Sequence, residues 1–168
     1  MTLSFFRPTA ALGLLLGSAG IAQADAQIIR HGSQGNSPIL SGVTVPAGLE
    51  TLYLSGQVPP VVDTSAEATS SAAYGDTKNQ AIGIFRKIEA LLKAQGYALG
   101  DVVKLTVFLV GDPKLDGKQD FKGFAEAYAQ FFGTADQPNK VARSTVQVAA
   151  LANPGFLVEI EATAVKAK

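Results

Sequence analysis

The chain has 168 residues, a length that suits one domain, and its 47% hydrophobic and 17% charged content excludes a disordered polymer. Fourteen basic residues balance fourteen acidic ones, which excludes the basic footprint of a nucleic-acid binder and the acidic tail of a solvating segment. With no Cys there are no disulfides, thiolate metal sites or Cys nucleophiles, and the single His31 makes a His-rich metal centre or a Ser–His–Asp triad hard to build.

Residues 1–24 read as a secretory leader. Arg7 supplies the positive charge, residues 10–21 the apolar run, and Ala22-Gln23-Ala24 the small-x-small site that a signal peptidase accepts. A membrane span needs about 20 apolar residues, more than this run or any later one holds. The expectation is an exported, periplasmic protein, free of the membrane after leader removal, whose single domain is residues 25–168.

Residues 25–37 are polar and Gly-rich and read as an arm or lead-in. A strand is expected near Val43. Glu50-Thr51-Leu52-Tyr53-Leu54 is a second β-prone run, stopped by Ser55-Gly56-Gln57. Residues 58–75, with Pro59 and Pro60, read as loop. Between 77 and 95, Ala81, Ile82, Phe85, Ile88, Leu91 and Leu92 recur at helical spacing, with Asp76 as N-cap and Gly96 after the end. Residues 102–110 alternate as a strand, with Val103, Leu105, Val107 and Leu109 on one face. Residues 120–132 form a second helix carrying Phe121, Phe124, Tyr128, Phe131 and Phe132, a stripe assigned to the core and terminated by Gly133. Residues 145–149 and 157–165 are two last strands joined through Asn153-Pro154-Gly155.

Two one-sided amphipathic helices and these strands fit an α+β fold, a mixed sheet with both helices on one face. The other face stays uncovered. On the last strand it is expected to carry Leu157, Glu159 and Glu161, a half-apolar surface that predicts self-association.

Arg143 sits where a strand begins and can clamp a planar carboxylate through two parallel N–H···O bonds, or serve a structural salt bridge with Glu159 or Glu161. Glu159, between Val158 and Ile160, can place a water as general base, or only pair with Arg143. Ser55-Gly56-Gln57 suits an anion cradle and equally an ordinary turn. His31 is given no role. No phosphate loop or dinucleotide fingerprint is present.

Taken together, Leu54-Ser55-Gly56-Gln57-Val58-Pro59, residues 98–109, Tyr128-Ala129-Gln130-Phe131-Phe132, Ala142-Arg143-Ser144-Thr145-Val146 and residues 158–164 resemble the Rid (reactive intermediate deaminase) family, also called YjgF-like, over roughly residues 37–166. The resemblance implies a chorismate-mutase-like α+β fold and a homotrimer with ligand clefts between subunits. It also implies hydrolysis of 2-imino or enamine acids to 2-keto acids and ammonia, with no cofactor and no metal. On the matching positions, Arg143 is the carboxylate clamp and Glu159 orients the attacking water. Ser55 and Gly56 line the cleft, and Thr145 stands where many members carry Cys, its backbone facing the ligand. Ile39 and Ala125 depart from the Tyr and Asn of many deaminases, which implies a more apolar cleft with fewer donors. The loops at 61–75 and 111–120 look longer than is usual in the family.

The partner expected on this reading is a 2-imino or 2-keto carboxylate, with no nucleic acid. The alternative is a non-catalytic small-carboxylate-binding protein or a stress, chaperone-like protein of the periplasm, for which export and the Ile39 and Ala125 departures speak.

Overall fold

The computed structural model describes residues 27–166; the leader expected at 1–24 lies outside them. Six strands and two helices follow in chain order: β1 (Ile29–Gly32), β2 (Leu40–Thr44), β3 (Glu50–Gln57), α1 (Thr77–Ala94), β4 (Val102–Val110), α2 (Phe121–Tyr128), β5 (Ala142–Val148) and β6 (Val158–Lys166). They build one mixed sheet in the order β1-β2-β5-β4-β6-β3. β5 runs parallel to β4 and to β2, while β6 is antiparallel to β4 and β3. β2 meets β5 through a single residue pair, Leu40 with Ala142.

α1 starts where Asp76 Oδ1 accepts the Asn79 backbone N–H at 2.8 Å. It ends where Gly96, at φ +74°, turns the chain so that the Tyr97 N–H reaches the Leu92 carbonyl at 2.8 Å. Only glycine enters that backbone region without strain. Ala81, Ile84, Phe85, Ile88 and Leu92 are fully buried. They meet Leu105, Val107 and Leu109 of β4, Val158, Ile160, Ala162 and Ala164 of β6, and the aromatic residues of α2 in one core. The Phe85 ring lies among Phe131, Phe132, Phe124 and Tyr128, with centroids 5.1 to 6.3 Å away, so these four of the aromatic stripe join the core as expected, while Phe121 is exposed. Gln80 is buried with its whole amide engaged: Nε2 donates to the Gly75 and Gly155 carbonyls and Oε1 accepts the Leu157 N–H.

Five expectations need correction. The lead-in contains β1, held to β2 in an antiparallel ladder and fixed from behind by Arg30. β3 runs on to Gln57, because the chain absorbs Ser55 and Gly56 as a bulge against β6 instead of turning away. β5 begins at Ala142, so Arg143 lies within the strand. The second α-helix stops at Tyr128; Gln130 and Phe131 then bond three residues back, a tighter turn, and the Phe132 N–H still reaches the Tyr128 carbonyl at 3.1 Å, which keeps Phe132 buried beyond the helix. Leu157 lies before β6 and is buried, its N–H held by Gln80, so the outward face of β6 carries Glu159, Glu161 and Thr163.

Candidate functional site: an unpartnered arginine and a carboxylate on opposite sheet faces

Directly paired strand residues share a face, so the β4 register sorts the candidates. Arg143 pairs with Leu105 and Thr145 with Val107, both of them core residues, so Arg143 and Thr145 project toward the helices. Glu159 pairs with Phe108 and projects to the uncovered face. Three residues of rise along β4 and two strand spacings separate Arg143 from Glu159, roughly 14 Å, with the sheet between them. The salt bridge between Arg143 and Glu159 or Glu161 entertained from the sequence therefore does not form. Among the described residues the ion pair is Lys78 with Glu126, at 2.8 Å between the two helices.

Arg143 lies against an aromatic wall. Its guanidinium carbon is 4.4 Å from the Tyr128 ring centroid, 5.0 Å from Phe124 and 6.0 Å from Phe121. The ring faces attract the cation, each by about 0.5–2 kcal/mol, and leave the N–H edge free, because stacking uses the plane and not the rim. Nη1 is enclosed and has no hydrogen-bond partner among the described residues. Burial draws the pKa of Arg143 below its ordinary value, and Tyr128 opposes that shift.

Arg30 is the instructive contrast. It is half-buried too, yet its Nη1 donates to the Val102 and Lys140 carbonyls at 3.0 and 2.8 Å and its Nη2 to the Gly100 carbonyl at 2.7 Å. A cation with its rim used on carbonyls is a brace. Arg30 thereby fixes the chain entering β5, and Lys140 Nζ, donating to the Ser37 carbonyl at 2.8 Å, ties the same spot to the segment before β2. Ile39 in that segment packs on the core, and the Tyr128 hydroxyl donates to the Pro38 carbonyl at 3.1 Å. One ring thus supports the guanidinium and anchors the segment beside it.

Thr145 Oγ1, two residues from Arg143 on the same face, is also enclosed without a partner, and so is Gln119 Oε1 just before α2. Leaving such an atom unsatisfied costs about 1–3 kcal/mol, so a cluster of them calls for a reason. Sequence reasoning singled out Arg143 and Thr145, assigned the aromatic wall to the core, and passed over Gln119 and Arg30. The wall was visible as a stripe, whereas a single Gln in a loop carries no pattern.

Across the sheet, the Ser55–Gly56 bulge and Glu159 come together. A Cβ on Gly56 would fall on Glu159 Oε1, so glycine makes room for the carboxylate. The uncovered face around them exposes Tyr53 at 77% and Val146 at 46%. It also holds a cavity of about 200 Å³ lined by Lys104, Thr106, Glu161 and Thr163. The predicted site residues therefore fall into two groups in one copy: Arg143 and Thr145 on the helix side, and Glu159 beside the Ser55–Gly56 bulge on the uncovered side.

Comparison with known proteins places this arrangement. Residues 43–166 match the family described as endoribonuclease L-PSP. A RutC family protein of Pyrococcus horikoshii is 37% identical over 115 residues, 68% of this chain and 79% of its own length. TdcF of Escherichia coli, named as a candidate reactive intermediate deaminase, is 33% identical over 129 residues, 77% of this chain and 87% of its own. The crystal structure of TdcF with bound serine superposes with a TM-score of 0.55 at 33% identity, covering 82% of this chain and 94% of that one. A Rid family protein of Yersinia pestis superposes with a TM-score of 0.59 at 25% identity, covering 81% and 96%. By the extent of these matches, the chain belongs to the endoribonuclease L-PSP family, which takes in the YjgF, RutC and Rid proteins.

Proposed function

We propose that the protein hydrolyses short 2-imino acids to 2-keto acids and ammonia, without a cofactor, in a cleft that two copies of the chain build together. Arg143 of one copy holds the substrate carboxylate; Glu159, seated over Gly56 in the neighbouring copy, orients water toward the imine carbon. Water oxygen bonds to that carbon and passes its protons, by way of the carboxylate, to the imine nitrogen. The carbon–nitrogen bond then breaks, ammonia leaves and the carbonyl remains. Holding an electrophilic carbon and one water in register is most of the work, which suits a site of one cation and one acid.

The observation that carries this reading is the rim of Arg143, unpartnered among the described residues, set against Arg30, whose rim is spent on three carbonyls. The placement of Glu159 on the other sheet face argues for a second copy. The serine held by TdcF is itself a small carboxylate. The family description speaks of RNA cleavage, but net neutrality and the Glu159 and Glu161 carboxylates on the open face oppose a polyanion. The leader expected at 1–24 supports placing this reaction in the periplasm as part of the same proposal.

The test is ammonia release from freshly generated 2-iminopropanoate or 2-iminobutanoate. Arg143→Ala should weaken substrate capture about 100-fold, the worth of roughly 3 kcal/mol of charge-assisted hydrogen bonding. Glu159→Gln should lower kcat by about 10²–10⁴ with KM little changed. Mixed oligomers of the two variants should regain activity, because some clefts then combine an intact Arg143 with an intact Glu159. Equal rates for wild type and Arg143→Ala would overturn the reading. Keto-acid binding that depends on Arg143 without any turnover would make the protein a carboxylate binder.

A further inference from the structure

Three buried polar atoms without partners among the described residues flank one strip of β5: Arg143 Nη1, Thr145 Oγ1 and Gln119 Oε1. Arg143, Thr145 and Gln147 alternate along one face of the strand, opposite the core residues Leu105, Val107 and Leu109. The chain before α2 lies over the same strip. The Gln119 N–H donates to Gln147 Oε1 at 3.2 Å, Gln147 Nε2 donates to the Gly117 carbonyl at 3.1 Å, and the Phe121 ring is 6.0 Å from the Arg143 guanidinium. The other enclosed glutamine, Gln80, has every polar atom of its amide engaged, so an enclosed amide in this fold finds partners when its role is to brace. Gln119 Oε1 has none. Arg143, Thr145 and Gln119 are each only half-buried as residues, so solvent reaches each side chain although the named atom is covered.

We infer that Gln119, assisted by Thr145, is a specificity-determining residue that selects small carboxylates bearing a hydroxyl group over aliphatic ones of the same size. This rests on the reading in which Arg143 takes the carboxylate. With that group fixed, the substituent of a three- or four-carbon acid extends along the strip, where the amide oxygen accepts its O–H and the Thr145 hydroxyl supplies a second partner. An aliphatic substituent leaves both atoms as unpartnered as they are in the free protein. The discrimination is the hydrogen bonding that only the hydroxyl acid gains. The apolar cleft expected from Ile39 and Ala125 thus gains a polar end from a loop residue.

Hydroxypyruvate and 2-oxobutanoate differ by a hydroxyl in place of a methyl and need no turnover to be measured. Calorimetric titration of the full-length wild type should show hydroxypyruvate binding about tenfold tighter. Gln119→Leu should bring the two within about twofold while leaving 2-oxobutanoate unchanged, and Thr145→Val should remove part of the preference. Arg143→Ala should weaken both ligands alike. Equal affinities in the wild type, or a preference that survives both Gln119→Leu and Thr145→Val, would overturn the inference while the carboxylate reading stands. Failure of the wild type to bind either acid would overturn both. If Gln119→Leu does not fold, the wild-type ratio and Thr145→Val still decide.

Discussion

Tyr128 carries three duties at one position: core residue, floor for the Arg143 guanidinium and hydrogen-bond anchor for Pro38. Burial raises its phenol pKa above the ordinary 10, with Arg143 pulling the other way. A folded-state pKa above the unfolded one favours the neutral phenol, so this contribution to stability is complete below pH 10 and declines as pH rises beyond it. Tyr128→Phe should therefore cost about 1 kcal/mol near neutrality, from the lost hydrogen bond, and close that gap above pH 10. Denaturant titrations of both proteins across pH 8–11 check the sign. Gly56 is the other residue whose identity is dictated by a neighbour. Gly56→Ala should displace the Glu159 carboxylate and lower kcat more than it changes ligand binding, read in the same ammonia assay.

At the level of elements, α2 is short, eight residues, and depends on its start. Asp120 Oδ1 accepts the Gly123 N–H at 2.8 Å. Asp120→Ala should cost about 1 kcal/mol by chemical denaturation and weaken keto-acid binding as well, because Phe121 and Phe124 are carried on the turn that it caps. α1 and β4 were legible in the sequence nearly to the residue, since their apolar period, cap and turn signals agree. β1 was not, for Ile29, His31 and Gly32 are exposed and no alternation marks a strand held by Arg30 reaching carbonyls 70 and more positions away. The end of α2 was overread because burial of Phe132 continues past the point where the three-residue bonds of Gln130 and Phe131 break the α ladder. At the site, Arg143 stood out by its place at the start of a strand and Thr145 through the family resemblance. Which face each candidate occupies was set by β-ladder register between distant segments, which single-chain periodicity does not encode.

At the scale of the whole molecule, the uncovered sheet face carries Tyr53 and Val146 into solvent in a single copy. We expect native mass measurement to return three copies. Val146→Asp should reduce that to one and abolish ammonia release with Arg143 and Glu159 both intact, because the two groups then have no counterpart. A single-copy mass for the fully active wild type would remove the shared cleft.

The lone Leu40–Ala142 pair joining β2 to β5 has a mechanical consequence. The β1–β2 ribbon is stitched to the rest by that one rung, the Arg30, Lys140 and Tyr128 side chains and the packing of Ile39, few ties for two strands, so it is the part that peels away first when the protein is warmed. Its amides then trade hydrogen for deuterium ahead of those in β4 and β6. An acid seated on the guanidinium one residue beyond that rung slows the exchange, and the ribbon becomes a reporter of occupancy.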